Sequence, residues 1–139
     1  MRLFCNFALN FKTLEMKEIV TFNAPAAIGP YSQAIEVNGM VFVSGQLPIV
    51  PETGAFPEGG IAAQSRQSLL NAQAILKKAG LDLSNVVKTT VLLADIADFA
   101  AMNEVYAQFF SKPFPARSAF AVRDLPKGAL VEIEIIAAR

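Results

Sequence analysis

A chain of 139 residues, 53% hydrophobic and 17% charged, has room for one core but not for separate cofactor and substrate domains. Its twelve basic and twelve acidic residues cancel, leaving no long-range field to gather nucleic acid or anionic lipid. Histidine is absent and Cys5 is the single cysteine, which excludes Cys-His nucleophilic catalysis, internal disulfides and zinc sites built on those ligands. Any chemistry must come from carboxylates, Arg, Tyr, hydroxyls, amides and backbone.

Residues 1–15 mix Phe4, Phe7, Leu9 and Phe11 with Asn6 and Asn10, which interrupt the apolar run and make a poor signal peptide. They read as an extension, disordered or a start-site artefact, ahead of a single domain over 16–139. No later run approaches the roughly 20 apolar residues that cross a bilayer, so a cytoplasmic location is expected.

A first strand is predicted over 18–22, followed by a Pro- and Gly-punctuated loop, 23–30, that delivers Tyr31 and Ser32 to the next strand. Strands over 33–37 and 40–44 flank Asn38-Gly39, a strong hairpin signal because both turn positions favour positive φ. Within 61–79, Leu69, Ala72, Leu76 and Ala79 recur at helical spacing, with Lys77 and Lys78 in the last turn and Gly80 as the stop. Residues 86–93 are β-branched and apolar enough for a buried strand. Asp95 can cap a second helix whose Phe99, Met102, Tyr106 and Phe109 share a face, and Pro113 and Pro115 end it. Strands over 117–122 and 130–137 complete an order βββαβαββ. This predicts an α+β fold with two helices on one face of one sheet. The other face needs cover, and in so short a chain a homo-oligomer is the expected source.

Arg117 stands at the start of a strand, sharing a face with Ala119 and Ala121. A planar, permanently charged fork beside small neighbours suits a substrate carboxylate; the alternative is a surface ion pair. Glu132 and Glu134 alternate with Val131, Ile133 and Ile135, so both carboxylates share a side. Desolvation there would raise a carboxyl pKa toward the range useful for acid/base work; a solvated face is the alternative. Asn103 lies among Phe99, Met102 and Tyr106, where a buried amide would need partners. Ser44-Gly45 closes the hairpin strand with a hydroxyl and unpaired N–H groups that can meet an anion, or simply makes a turn. Tyr31 offers a protonated phenol at neutral pH, in a pocket or in the core.

Taken in order, the segments NAPAAIGPYSQ (23–33), VSGQ (43–46), VKTTV (87–91), MNEVY (102–106), PARS (115–118) and VEIE (131–134) resemble the RidA family, also called YjgF, over residues 16–139. The resemblance implies a chorismate-mutase-like fold and a homotrimer with clefts between subunits. It implies an enzyme, a 2-iminobutanoate/2-iminopropanoate deaminase that hydrolyses reactive enamines and imines of the 2-aminoacrylate type to 2-oxo acids and ammonia without a cofactor. In it Arg117 corresponds to the residue that holds the substrate carboxylate, and Glu132 to the carboxylate that positions or activates water. Tyr31, Ser44, Gly45 and Asn103 correspond to pocket residues. Ala119 replaces a cysteine common in the family, and the link from Phe110 to Pro115 is short against some members. Another function of the same fold would be a non-catalytic trimer, chaperone-like or regulatory, that binds small carboxylates; a translation-inhibitor or ribonuclease role would need an RNA affinity that the charge balance disfavours.

Overall fold

The Asn38-Gly39 turn forms as expected, with φ of 50° and 76°, and folds strand β2 (Ala34–Val37) against β3 (Met40–Gln46). The computed structural model describes residues 14–139; the expected extension 1–15 lies outside it except for Leu14 and Glu15, which are exposed. Strand β1 (Lys17–Ile19) is shorter and earlier than the predicted 18–22 and pairs with β2. Then follow α1 (Gly60–Lys78), β4 (Val86–Leu93), α2 (Phe99–Phe109), β5 (Ala116–Ala121) and β6 (Val131–Ala138). Asp95 does cap, but its side chain accepts from Ala97 N–H at 2.9 Å in a 3-10 turn that precedes α2.

The six strands form one sheet in the order β1-β2-β3-β6-β4-β5, antiparallel throughout except for β4 with β5. Both helices cover one face, where Val41, Val43, Val91, Leu93, Ile133, Ile135 and Ala137 are buried against Leu69, Ile75 and Leu76 of α1 and Met102 of α2. Alternation then sends Phe42, Leu92, Phe120, Glu132, Glu134 and Ile136 to the opposite face. Phe42 and Phe120 remain 44% and 48% exposed there, so one chain leaves apolar surface uncovered on that side. Among the described residues no helix is long and apolar enough to cross a membrane.

Register decides which side chains can meet. Arg117 pairs with Thr89, whose hydroxyl is buried on the helix side and bonded to the Tyr106 phenol at 2.7 Å. Glu132 pairs with Leu92, three residues further along the same strand and therefore on the other side. Arg117 and Glu132 thus lie on opposite faces of the sheet.

Candidate active site

The first cluster forms where edge strand β5 passes under α2. Arg117 Nη1 donates to Asn103 Oδ1 at 2.7 Å, and its guanidinium carbon lies 4.7 Å from the Tyr106 ring centroid and 5.5 Å from that of Phe99. A flat guanidinium stacks on aromatic faces and is weakly hydrated, so two rings and one amide oxygen fix its orientation and leave other N–H donors free. Among the described residues Arg117 forms no ion pair, which removes the surface ion-pair alternative there. It opens into a pocket of about 430 Å³ that Asn103, Tyr106, Phe114 and Pro115 help to line. A permanent cation with unused donors in such a pocket is matched to a carboxylate.

Asn103 is exposed rather than set in a buried apolar face; the helix turns it to the rim, where its partner is Arg117. Phe99 and Tyr106, four residues before and three after it, stand on the same side of the helix and flank the guanidinium. The same spacing carried a signal for the site, because residues so placed around a polar one must share its neighbours. Burial pushes the Tyr106 phenol upward in pKa, opposed by the Thr89 hydrogen bond and the charge of Arg117. Ala119 pairs with Val91 and packs on the core from the Arg117 side.

The second cluster surrounds Glu132 on the opposite face. Val43 pairs with Ile135 and Gln46 with Ile133, so Ser44 and Gly45 together oppose Glu134 in a β-bulge. The strand does not end at Ser44, as expected from the sequence, but continues through Gln46. Nor is the Ser44 N–H unpaired: it donates to the Gln33 carbonyl at 3.0 Å, and the hydroxyl donates to the Ser32 carbonyl at 2.6 Å. Ser44 therefore ties the bulge to the segment that carries Tyr31. Gly45 faces Glu132 so closely that an added Cβ would lie 3.0 Å from the carboxyl carbon and overlap one of its oxygens. Burial raises the Glu132 pKa above its ordinary value of 4.5, and the nearby charge of Glu134 raises it further. Tyr31 is 53% exposed, not a core residue, and shares a small pocket with Gly45.

The expected site residues therefore gather into two groups: Arg117, Asn103 and Ala119 on the helix side, and Glu132, Gly45, Ser44 and Tyr31 on the other or at the adjoining sheet end. The first can hold a carboxylate, and the second can move a proton, but within one chain the sheet separates them. Among the described residues no group of His, Cys, Asp or Glu could hold a metal ion.

Residues 21–139 match the family model described as Endoribonuclease L-PSP. A Bos taurus protein named 2-iminobutanoate/2-iminopropanoate deaminase is 54% identical over 125 residues, covering 90% of this chain and 91% of the relative. Among solved structures, Escherichia coli TdcF with bound serine is 47% identical at a TM-score of 0.84, covering 88% of this chain and 98% of that one. RidA from an Antarctic Psychrobacter is 48% identical at a TM-score of 0.85, with 88% and 99% covered.

Proposed function

The chain belongs to the endoribonuclease L-PSP family, the RidA/YjgF proteins, and from that premise we propose a hydrolytic deaminase that converts reactive enamines and imines of small amino acids to 2-oxo acids and ammonia. The observation that carries the reading is Arg117: a cation without an ion-pair partner among the described residues, oriented by Asn103 and Tyr106, and open to a pocket. The substrate it fits is a small carboxylate, and the relatives named 2-iminobutanoate/2-iminopropanoate deaminase supply the chemical class.

In the proposed reaction Arg117 holds the carboxylate of the imine tautomer, and Glu132 takes a proton from a water as its oxygen adds to the imine carbon. Returned to the imine nitrogen, that proton completes the carbinolamine; Glu132 then passes the hydroxyl proton to the amino nitrogen as the C–N bond breaks and the C=O bond forms, so ammonia leaves, the glutamate ends as it began and no cofactor enters. Holding acid, base and substrate together lowers the entropic part of the barrier. Because Arg117 and Glu132 lie on opposite faces of one sheet, a complete site needs Arg117 of one copy against Glu132 of the next. The exposed Phe42 and Phe120 on the Glu132 face provide apolar surface for that contact, and the proposed assembly is a homotrimer with a cleft at each interface. The active unit is placed in residues 16–139 and its site of action in the cytoplasm. RNA cleavage, the activity in the family description, is disfavoured by zero net charge and the lack of histidine.

The reading is tested by supplying imines in situ from an amino-acid oxidase acting on alanine or 2-aminobutanoate, and following 2-oxo acid release; no acceleration over the uncatalysed rate would refute it. In the same assay kcat should rise with pH on its acid side, since Glu132 acts as base only when ionised. Within one chain burial raises the Glu132 pKa and Glu134 raises it further, whereas the Arg117 cation of the neighbouring copy opposes that rise; Glu134→Gln should move the limb to lower pH by removing the like charge. A limb that ignores Glu134 would contradict the assignment. Gly45→Ala should lower activity by about tenfold or more, because a methyl group displaces the Glu132 carboxylate, and roughly 1 Å of misplacement can cost a hundredfold. Wild-type kinetics in that variant would place the reacting water elsewhere.

A further inference from the structure

Phe99, Asn103 and Tyr106, the groups that meet the Arg117 guanidinium, all come from α2, spaced by four and three residues along one side of the helix. The aim of the guanidinium therefore depends on where that side of α2 sits over the sheet. Among the described residues one buried side-chain hydrogen bond joins α2 to the sheet, between the Tyr106 phenol and the Thr89 hydroxyl at 2.7 Å. Its sheet end lies beside the arginine, because Thr89 pairs with Arg117 on β5 and with Ile135 on β6.

Thr89 is 0% exposed, and Val91 and Ile135, its neighbours on the helix side of the sheet, are buried and apolar. Valine would fill the same space and suit a strand as well, whereas a hydroxyl buried there costs stability unless it is paired. Tyr106 supplies the partner. It is itself buried, and its ring meets Arg117 at 4.7 Å and Phe110 at 4.5 Å. Ring contacts of this kind tolerate sliding, while a hydrogen bond fixes distance and angle. The hydroxyl pair is thus the element that sets where the ring stops.

We propose that Thr89 is a positioning residue for carboxylate binding: through Tyr106 it holds the side of α2 that carries Phe99, Asn103 and Tyr106 in register with Arg117. The proposal rests on the reading of Arg117 as the group that holds the substrate carboxylate. Being fully buried, Thr89 touches no substrate, and its effect is carried by the aim of the guanidinium alone. Loss of the hydroxyl pair should therefore weaken the hold on the carboxylate, which is the same before and during reaction, and appear in KM rather than in kcat.

Core packing and positioning are told apart by variants in which stability and binding move separately. Thr89→Val combined with Tyr106→Phe removes both hydroxyls and leaves no polar group unpaired, so Tm should stay near wild type at equal protein concentration. In it, KM for the imine of 2-aminobutanoate and the calorimetric Kd for 2-oxobutanoate should each rise about three- to tenfold, the range one hydrogen bond contributes, with kcat changed by about twofold or less. Thr89→Ser keeps the hydroxyl but loses a buried methyl group. Its Tm should fall by a few degrees while KM and Kd stay within about twofold of wild type. Should the double variant not fold, Thr89→Val against Thr89→Ser makes the same comparison, since both lose stability and only the first should lose affinity. Wild-type KM and Kd in the double variant would overturn the proposal, as would a KM that follows Tm across the series. A wild-type protein that binds 2-oxobutanoate but hydrolyses no imine would overturn the deaminase reading and leave the Kd series to decide on Thr89; one that does neither would overturn both.

Discussion

Replacing Arg117 by alanine is expected to lower kcat/KM for imine hydrolysis by about 30- to 4,000-fold, the equivalent of the roughly 2–5 kcal/mol lost when one partner of a desolvated charge pair is truncated. The fold should survive. The guanidinium lies on the outer ring faces of Tyr106 and Phe99, and the buried Tyr106-Thr89 hydrogen bond does not depend on it. Lysine at this position keeps the charge but loses the planar fork that meets Asn103 and the Tyr106 ring together. It should therefore recover only part of the activity. Steady-state kinetics with circular dichroism as a check on folding would measure both. An alanine variant with wild-type KM and kcat would remove the carboxylate clamp from the mechanism.

Local signals made much of the frame legible in advance. Asn38-Gly39 specified its turn through positive φ, and the β-branched run 86–93 appears as β4 (Val86–Leu93) to the residue. Helix α1 ends at Lys78, one residue before the predicted end, with Gly80 in the left-handed conformation beyond it. Alternation within single strands makes Arg117, and Glu132 together with Glu134, candidates, and the resemblance to the RidA family selects Glu132; both signals are read along the chain. The separation of the two residues by the sheet could not be read the same way. It follows from β5 pairing in parallel with β4 while β6 pairs antiparallel on the other edge of β4, and such pairings join residues far apart in sequence. Asn103 and Tyr31 show a related limit. Helical spacing puts Asn103 among apolar neighbours but does not separate the centre of a face from its rim, and Tyr31 is exposed together with Ile28, Gly29 and Pro30 in the loop between β1 and β2, which has no periodicity to read.

The separation of the two groups leads to the sharpest expected result. Arg117→Ala and Glu132→Gln should each be nearly inactive alone, the second because an amide keeps the shape of the carboxylate but cannot take a proton. If both groups served a site within one chain, every site in a mixed assembly would carry a defect, and mixing would restore nothing. The placement of Arg117 and Glu132 on opposite faces requires the other outcome. In a ring where each cleft takes arginine from one copy and glutamate from its neighbour, a cleft is intact when an Arg-bearing copy meets a Glu-bearing one in the right order. For random 1:1 mixing this gives about one quarter of wild-type activity over all assemblies, and about one third in trimers freed of the unmixed species, since each mixed trimer has one intact cleft in three. Co-expression of the two variants with different affinity tags, followed by tandem purification and assay, measures it. Activity indistinguishable from the single variants in verified mixed assemblies would show that the clefts are not shared between copies.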